Sequence, residues 1–195
     1  MIMRTIQKQL CFLAILSLAS CTSVQTDKFP DEQPSRLSVV VVFDNKMFIP
    51  SPARFAWPQG GTHSYMDTKL KNVPVISMLK DIIQEQLIQK GFKHTTSIDD
   101  SDFLVMFTVA VEGALSDEAI NKNFGIQPGL QSGAKQNNEY TKGTLVIDIK
   151  NKFTHQSLLR GAIQGFAKFD LSDEERKTRL KAAVRNVLDK LPNLT

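Results

Sequence analysis

The sequence predicts an α+β fold: a single domain with a mixed or antiparallel β-sheet and two main helices packed on one face. Three observations carry that expectation. Phe103, Val105, Phe107, Val109 and Val111 alternate with period two over a full strand length. Val75 to Lys90 and Ser172 to Leu191 place their apolar residues at helical spacing. Thr144 to Lys150 and Ser157 to Phe169 read as two strands of one hairpin.

Taken in order, Leu37-Ser38-Val39-Val40-Val41-Val42-Phe43 is a β-branched run that suits a largely buried strand. A second short strand is expected over Arg54 to Trp57, after the turn-prone Pro50-Ser51-Pro52, and Gly60-Gly61 then break the chain. In the first helix Val75, Leu79, Ile82, Ile83 and Leu87 share one face, and Gly91 stands where a left-handed C-cap would end it. The alternating strand that follows is its expected packing partner.

Between Gly113 and Gly143 the pattern dissolves, with at most a short helix near Asp117 to Asn123. Loops this long are uncommon in compact domains, and a mobile structural excursion is the expectation over a binding loop. In the hairpin, Ile149 opposite Leu159 brings Ile147 beside Gly161 and Leu145 beside Ile163, all on one apolar face. The same register sets Asp148 against Arg160 on the other face. Those two residues are the candidate site within the domain, with a cross-strand ion pair on a half-exposed face as the plainer reading, worth about 0–1 kcal/mol.

The closing helix opens on Ser172-Asp173-Glu174-Glu175, a capping box with an acidic first turn. Leu180, Val184, Val187 and Leu191 form its stripe, and Pro192 stops it. Lys177, Arg179, Lys181 and Arg185 lie along this helix, and their expected role is to solvate its outer face rather than to touch anionic lipid.

The N-terminus is read differently. Arg4 and Lys8 precede an apolar run of roughly ten residues ending in small side chains, the layout of a secretory signal. The run is too short to span a bilayer, which takes about twenty apolar residues. It ends in Leu18-Ala19-Ser20-Cys21, which resembles the lipobox of bacterial lipoproteins. The resemblance implies a signal peptide over 1–20, a diacylglyceryl group on the Cys21 sulfur and an acylated (for example palmitoylated) amine after cleavage. Residues 21–35, with Pro30, Pro34 and almost no large apolar side chain, then form a flexible tether with a reach of about 20 Å. Residues 36–195 form the folded domain. Thr22 stands where an aspartate tends to hold such proteins at the inner membrane, so the expected location is the outer membrane, lipid-anchored, on its periplasmic side.

Composition narrows the chemistry. Of the two cysteines, Cys11 lies in the signal and Cys21 at the lipid site, which leaves no thiol for a disulfide, a zinc-thiolate centre or cysteine catalysis. Loss of Arg4 and Lys8 lowers the formal charge from +4 to +2, and no Lys/Arg cluster with interleaved aromatics supports nucleic-acid binding. His63, His94 and His155 lack the spacing of a helical metal pair, and neither a G-x-S-x-G elbow nor a P-loop occurs. No metal, cofactor or catalytic residue is expected.

Phe55-Ala56-Trp57, Asp102-Phe103-Leu104-Val105, Gly143-Thr144-Leu145-Val146-Ile147-Asp148-Ile149, Arg160-Gly161 and the closing Val184 to Leu191-Pro192 occur in that order. Together they resemble the domain-of-unknown-function family 4136 of bacterial lipoproteins, over roughly Leu37 to Pro192. Leu159 departs from the aromatic the family often has before Arg-Gly. The resemblance implies helices packed on a β-sheet and supplies no established catalytic residues. The functional expectation is a non-catalytic module, joined to the membrane through Cys21, that binds an unidentified protein or envelope component. The alternatives are a carrier with an apolar pocket between sheet and helices, and a hydrolase.

Overall fold

A computed structural model describes residues 37–66, 74–111, 115–130, 140–168 and 170–194. The expected signal peptide and tether, with Cys21, lie outside them. The described residues form a mixed seven-stranded sheet with three helices. In chain order these are β1 (Ser38–Phe43), β2 (Arg54–Ala56), β3 (Thr62–Tyr65), α1 (Val75–Gln89), β4 (Lys93–His94), β5 (Phe103–Val111), α2 (Asp117–Phe124), β6 (Tyr140–Asn151), β7 (Ser157–Lys168) and α3 (Asp173–Leu188). The α+β class is the expected one, with a larger sheet than the sequence shows.

The strand order is β1-β7-β6-β5-β2-β4, and β3 also pairs with β5. The strands β1, β7, β6 and β5 pair antiparallel, whereas β2 and β3 join β5 in parallel. One flank of β5 is therefore shared, β2 taking Phe103 and Leu104 and β3 taking Phe107 to Ala110. Asp102 seals the first junction: its Oδ2 accepts the Arg54 backbone N–H at 2.7 Å, and its own N–H donates to the Arg54 carbonyl at 2.8 Å. That bond gives the aspartate of the Asp102-Phe103-Leu104-Val105 run a structural reason.

The hairpin register is the one apolar matching predicts, with Ile149 opposite Leu159, Ile147 opposite Gly161 and Leu145 opposite Ile163. A bulge follows at Ile149/Lys150. An irregularity of this kind breaks strict alternation, and the adjacent Leu158 and Leu159 are both fully buried in the same cluster.

The main core joins one face of the sheet to two helices. Val75, Leu79, Ile82, Ile83 and Leu87 of α1 and Val184, Val187 and Leu188 of α3 share a buried cluster with alternate residues of β5, β6 and β7. Full burial of such side chains contributes roughly 1.5–3 kcal/mol each, far above what helix propensity alone supplies. Gly161 matters to this packing, because a Cβ there would meet Val187 Cγ1 at 2.5 Å and Val41 Cγ2 at 3.2 Å. Gly91, at φ +91°, ends α1 in the left-handed region. The capping box of Ser172 and Glu175 is formed. The helix stops at Leu188, one turn earlier than the stripe suggests, while Leu191 remains buried beyond its end.

One expectation is corrected. The β1 run is an edge strand, not a largely buried one: it pairs only with β7 among the described residues, and Val39 and Val42 are 39% and 58% exposed. A β-branched run reports strand preference, which a central and an edge position share. Within the Gly113–Gly143 stretch the expected short helix forms as α2, and the described residues 115–130 also bury Ile120, Ile126 and Leu130. Apolar residues so widely spaced carry no periodic signal.

Candidate functional site

The second face of the sheet carries the candidate pair. Odd and even residues of a strand point to opposite sides, so Lys142, Thr144, Val146 and Asp148 of β6 lie away from the main core. Arg160, Ala162 and Gln164 of β7 stand on the same side, opposite Asp148, Val146 and Thr144 respectively. Val146 and Ala162 form a small apolar cluster with Ile120 and Ile126, against which Val40, Leu115 and Phe124 pack. α2 lies over this part of the face, so that Asp148 is only 5% exposed while the Arg160 side chain is 26% exposed.

The Asp148 carboxylate is surrounded by donors. Ser157 Oγ donates to Oδ1 at 2.6 Å, Arg160 Nε and Nη2 donate to Oδ2 at 3.1 and 2.8 Å, and Lys150 Nζ stands 3.6 Å away. Arg160 reaches further, since Nη2 also donates to Ser157 Oγ at 2.8 Å and Nη1 to the Phe124 carbonyl at 2.7 Å. Phe124 is the last residue of α2, so the guanidinium satisfies a carbonyl that the helix leaves unpaired at its negative end. Asp148 fixes the orientation of that guanidinium.

The other end of α2 is held as firmly. Ser116 caps it by accepting the Ala119 N–H at 3.1 Å, and Gly125 closes its C-terminus at φ +65°. Asp117, in the first turn, accepts from Lys142 Nζ at 2.7 Å and Gln164 Nε2 at 2.6 Å, and the same Gln164 nitrogen donates to Thr144 Oγ1 at 3.1 Å. Burial pushes the Asp117 carboxyl up, but the hydrogen bonds from Lys142 and Gln164 and the lysine charge outweigh it and leave the group below its ordinary value. Gln164 Oε1 then accepts the Leu130 N–H at 3.3 Å, and Ser38 Oγ accepts the Gly129 N–H at 3.1 Å. An eight-residue helix is marginal on its own. Here polar anchors at both ends dock it over a small apolar patch.

The arrangement binds its own helix, with Asp148 and Arg160 bonded to each other, to Ser157 and to the Phe124 carbonyl. The histidines stand apart in role: His94 lies against the Phe55 ring at 5.3 Å between centroids, His155 is exposed in the β6–β7 turn at φ +58°, and His63 lines a cleft. No group of three or more His, Cys, Asp or Glu among the described residues is arranged to hold a metal ion. The cleft, of about 230 Å³ and partly open, is lined by His63, Tyr65, Thr108, Leu115, Asn123 and Phe124. It lies beside α2, not between the sheet and the α1/α3 layer where an apolar carrier pocket is expected.

Lys142, Gln164 and Asp117 are missed by sequence reasoning. The one signal for Lys142 and Gln164 is that polar residues share their face of two otherwise apolar strands with Thr144, Asp148 and Arg160; Asp117, on α2, has no such signal.

This is a single α+β domain whose mixed sheet carries a large apolar core on one face and a short, polar-clamped helix over part of the other. Residues 39–193 match the family described as Domain of unknown function (DUF4136), and the chain belongs to that family. Among solved structures, a PelC point-variant dodecamer from Paraburkholderia phytofirmans is similar at a TM-score of 0.48 and 7% identity, over 78% of this chain and 95% of that one. A DUF4136 family protein from Bacteroides thetaiotaomicron is similar at a TM-score of 0.46 and 11% identity, over 82% of this chain and 97% of that one. No curated protein is significantly similar in sequence.

Proposed function

We propose that the mature protein is an outer-membrane lipoprotein, anchored through lipid on Cys21 and facing the periplasm, whose domain is a non-catalytic binding or envelope-structural module. The Leu18-Ala19-Ser20-Cys21 motif and Thr22 support the location. The binding reading is carried by one observation: β1, the first strand after the tether, is a six-residue edge strand without a charged side chain and with one strand neighbour among the described residues. Unpaired edges of this kind accept another strand unless something blunts them.

Two measurements test the two halves. Cys21→Ala is expected to release the protein from membranes and abolish fatty-acid labelling; unchanged fractionation overturns the anchor. A photo-crosslinking residue in place of Val42 is expected to give a specific adduct in cells, and the same residue in place of the exposed Lys177 is not. Absence of any specific adduct at Val42 under several growth conditions overturns the binding module.

A further inference from the structure

The described sheet has three edge strands, one of them the four-residue β3 on the flank of β5 beyond β2, and the two ends of the strand order differ in character. At one end β4 has two residues, one of them Lys93, and so is short and charged. At the other, β1 runs Ser38-Val39-Val40-Val41-Val42-Phe43. Natural edges are usually blunted by shortness, lysine, proline or a bulge, and β1 has none of these.

The hydrogen-bonding parity of β1 follows from one bond. The Asp44 N–H donates to the Leu158 carbonyl at 2.9 Å, just past the end of the β1–β7 ladder. Peptide groups alternate sides along an extended strand. Ser38, Val40 and Val42 therefore turn their N–H and C=O groups toward β7, and Val39, Val41 and Phe43 turn theirs outward.

We propose that β1 pairs antiparallel with β1 of a second copy of this chain, about a two-fold axis at Val41, to make one continuous sheet across a dimer. This rests on the reading of β1 as the binding edge and names its occupant. In that register Val41 faces Val41 of the second copy and Val39 faces Phe43 of the second copy, each pair exchanging hydrogen bonds through the outward groups. Val40 faces Val42 of the second copy on the α2 side of the sheet. Isologous pairing requires a strand to be complementary to itself. An edge with a charge would set like charges near one another across the axis, or would select a foreign strand of opposite charge. This strand has no charge, and its apolar residues match in either direction.

The test uses the full-length lipidated chain in detergent micelles and in vesicles, with its mass measured by light scattering and backbone amide exchange read residue by residue. The wild type is expected to be a dimer in which the Val39, Val41 and Phe43 amides exchange slowly. Val39→Pro removes an outward N–H and leaves the β7 ladder intact; Val42→Lys puts a charge at a position 58% exposed. Each is expected to weaken dimerisation at least tenfold and to free those amides, with helix and sheet content unchanged. If Val39→Pro does not fold, Val42→Lys decides alone. A monomeric wild type overturns the proposal, as do variants that remain dimeric or outward amides protected only in complex with another protein. A Val42 adduct to a different protein sinks this inference and leaves the binding module standing; membrane release failing in Cys21→Ala leaves this inference standing.

Discussion

The two faces of the sheet are built on different physics. On the α1/α3 face, Phe103, Val105, Phe107, Leu145, Ile147 and Ile163 sit in an apolar cluster whose attraction is non-directional and tolerant of small shifts. On the α2 face the apolar patch is small, and Asp148, Arg160, Asp117, Lys142 and Gln164 hold the helix through directed bonds. The first face supplies bulk stability. The second specifies where one short helix sits, and it does so only while every donor and acceptor has its partner.

The largest break is on the first face. Phe107→Ala, at a ring packed edge-on against Trp57 with centroids 6.0 Å apart, is expected to cost about 3–5 kcal/mol in denaturant unfolding. Asp148→Ala comes next. It strips the acceptor from a guanidinium that is 26% exposed, so the loss falls at or below the low end for a buried pair, at about 2–3 kcal/mol. Its signature is local: amides of residues 115–130 exchange faster, while those of α1 do not. Equal acceleration in both helices would show that the two faces are not separable.

Gly161→Ala is expected to cost about 1–3 kcal/mol by driving a methyl group into Val187 and Val41, and Val187→Ala in the same chain should recover part of that loss. The smallest effect is that of Asp117→Asn, at most about 1 kcal/mol near neutral pH, because the carboxylate is 37% exposed. Its pH dependence has a definite sign. The folded-state value lies below the ordinary 3.8, so the contribution is complete above the ordinary value and is lost as pH falls through the folded one. The stability gap between wild type and Asp117→Asn should shrink from about pH 6 to about pH 3, as read by unfolding curves; a gap that widens on acidification defeats the assignment.

The same contrast explains what was legible beforehand. The five buried positions of α1, the β5 alternation, the capping box at Ser172 and the hairpin register all arise from patterns within one segment or between adjacent ones. The register that faces Ile147 with Gly161 also faces Asp148 with Arg160, so that pair was within reach. Its purpose was not, because Arg160 reaches the end of a helix 36 residues away and Gln164 reaches the start of the same helix 47 residues away. β3, Thr62-His63-Ser64-Tyr65, has no apolar alternation and is a strand because the flank of β5 beyond β2 offers it backbone partners. β4 has only two residues.

By itself the sequence determined the α+β class, the positions of the long helices and strands and the apolar face of each, and it carries the motif at Cys21 on which the proposed anchor rests. These follow from periodicity and local motif, which act over a few residues. Only the tertiary structure decided that β1 is an edge, that β2 and β3 divide the flank of β5, and that α2 docks on the second face. Such choices depend on which distant backbone and polar groups satisfy one another, and a valine run or a lone arginine reads the same in the chain whichever partner it meets.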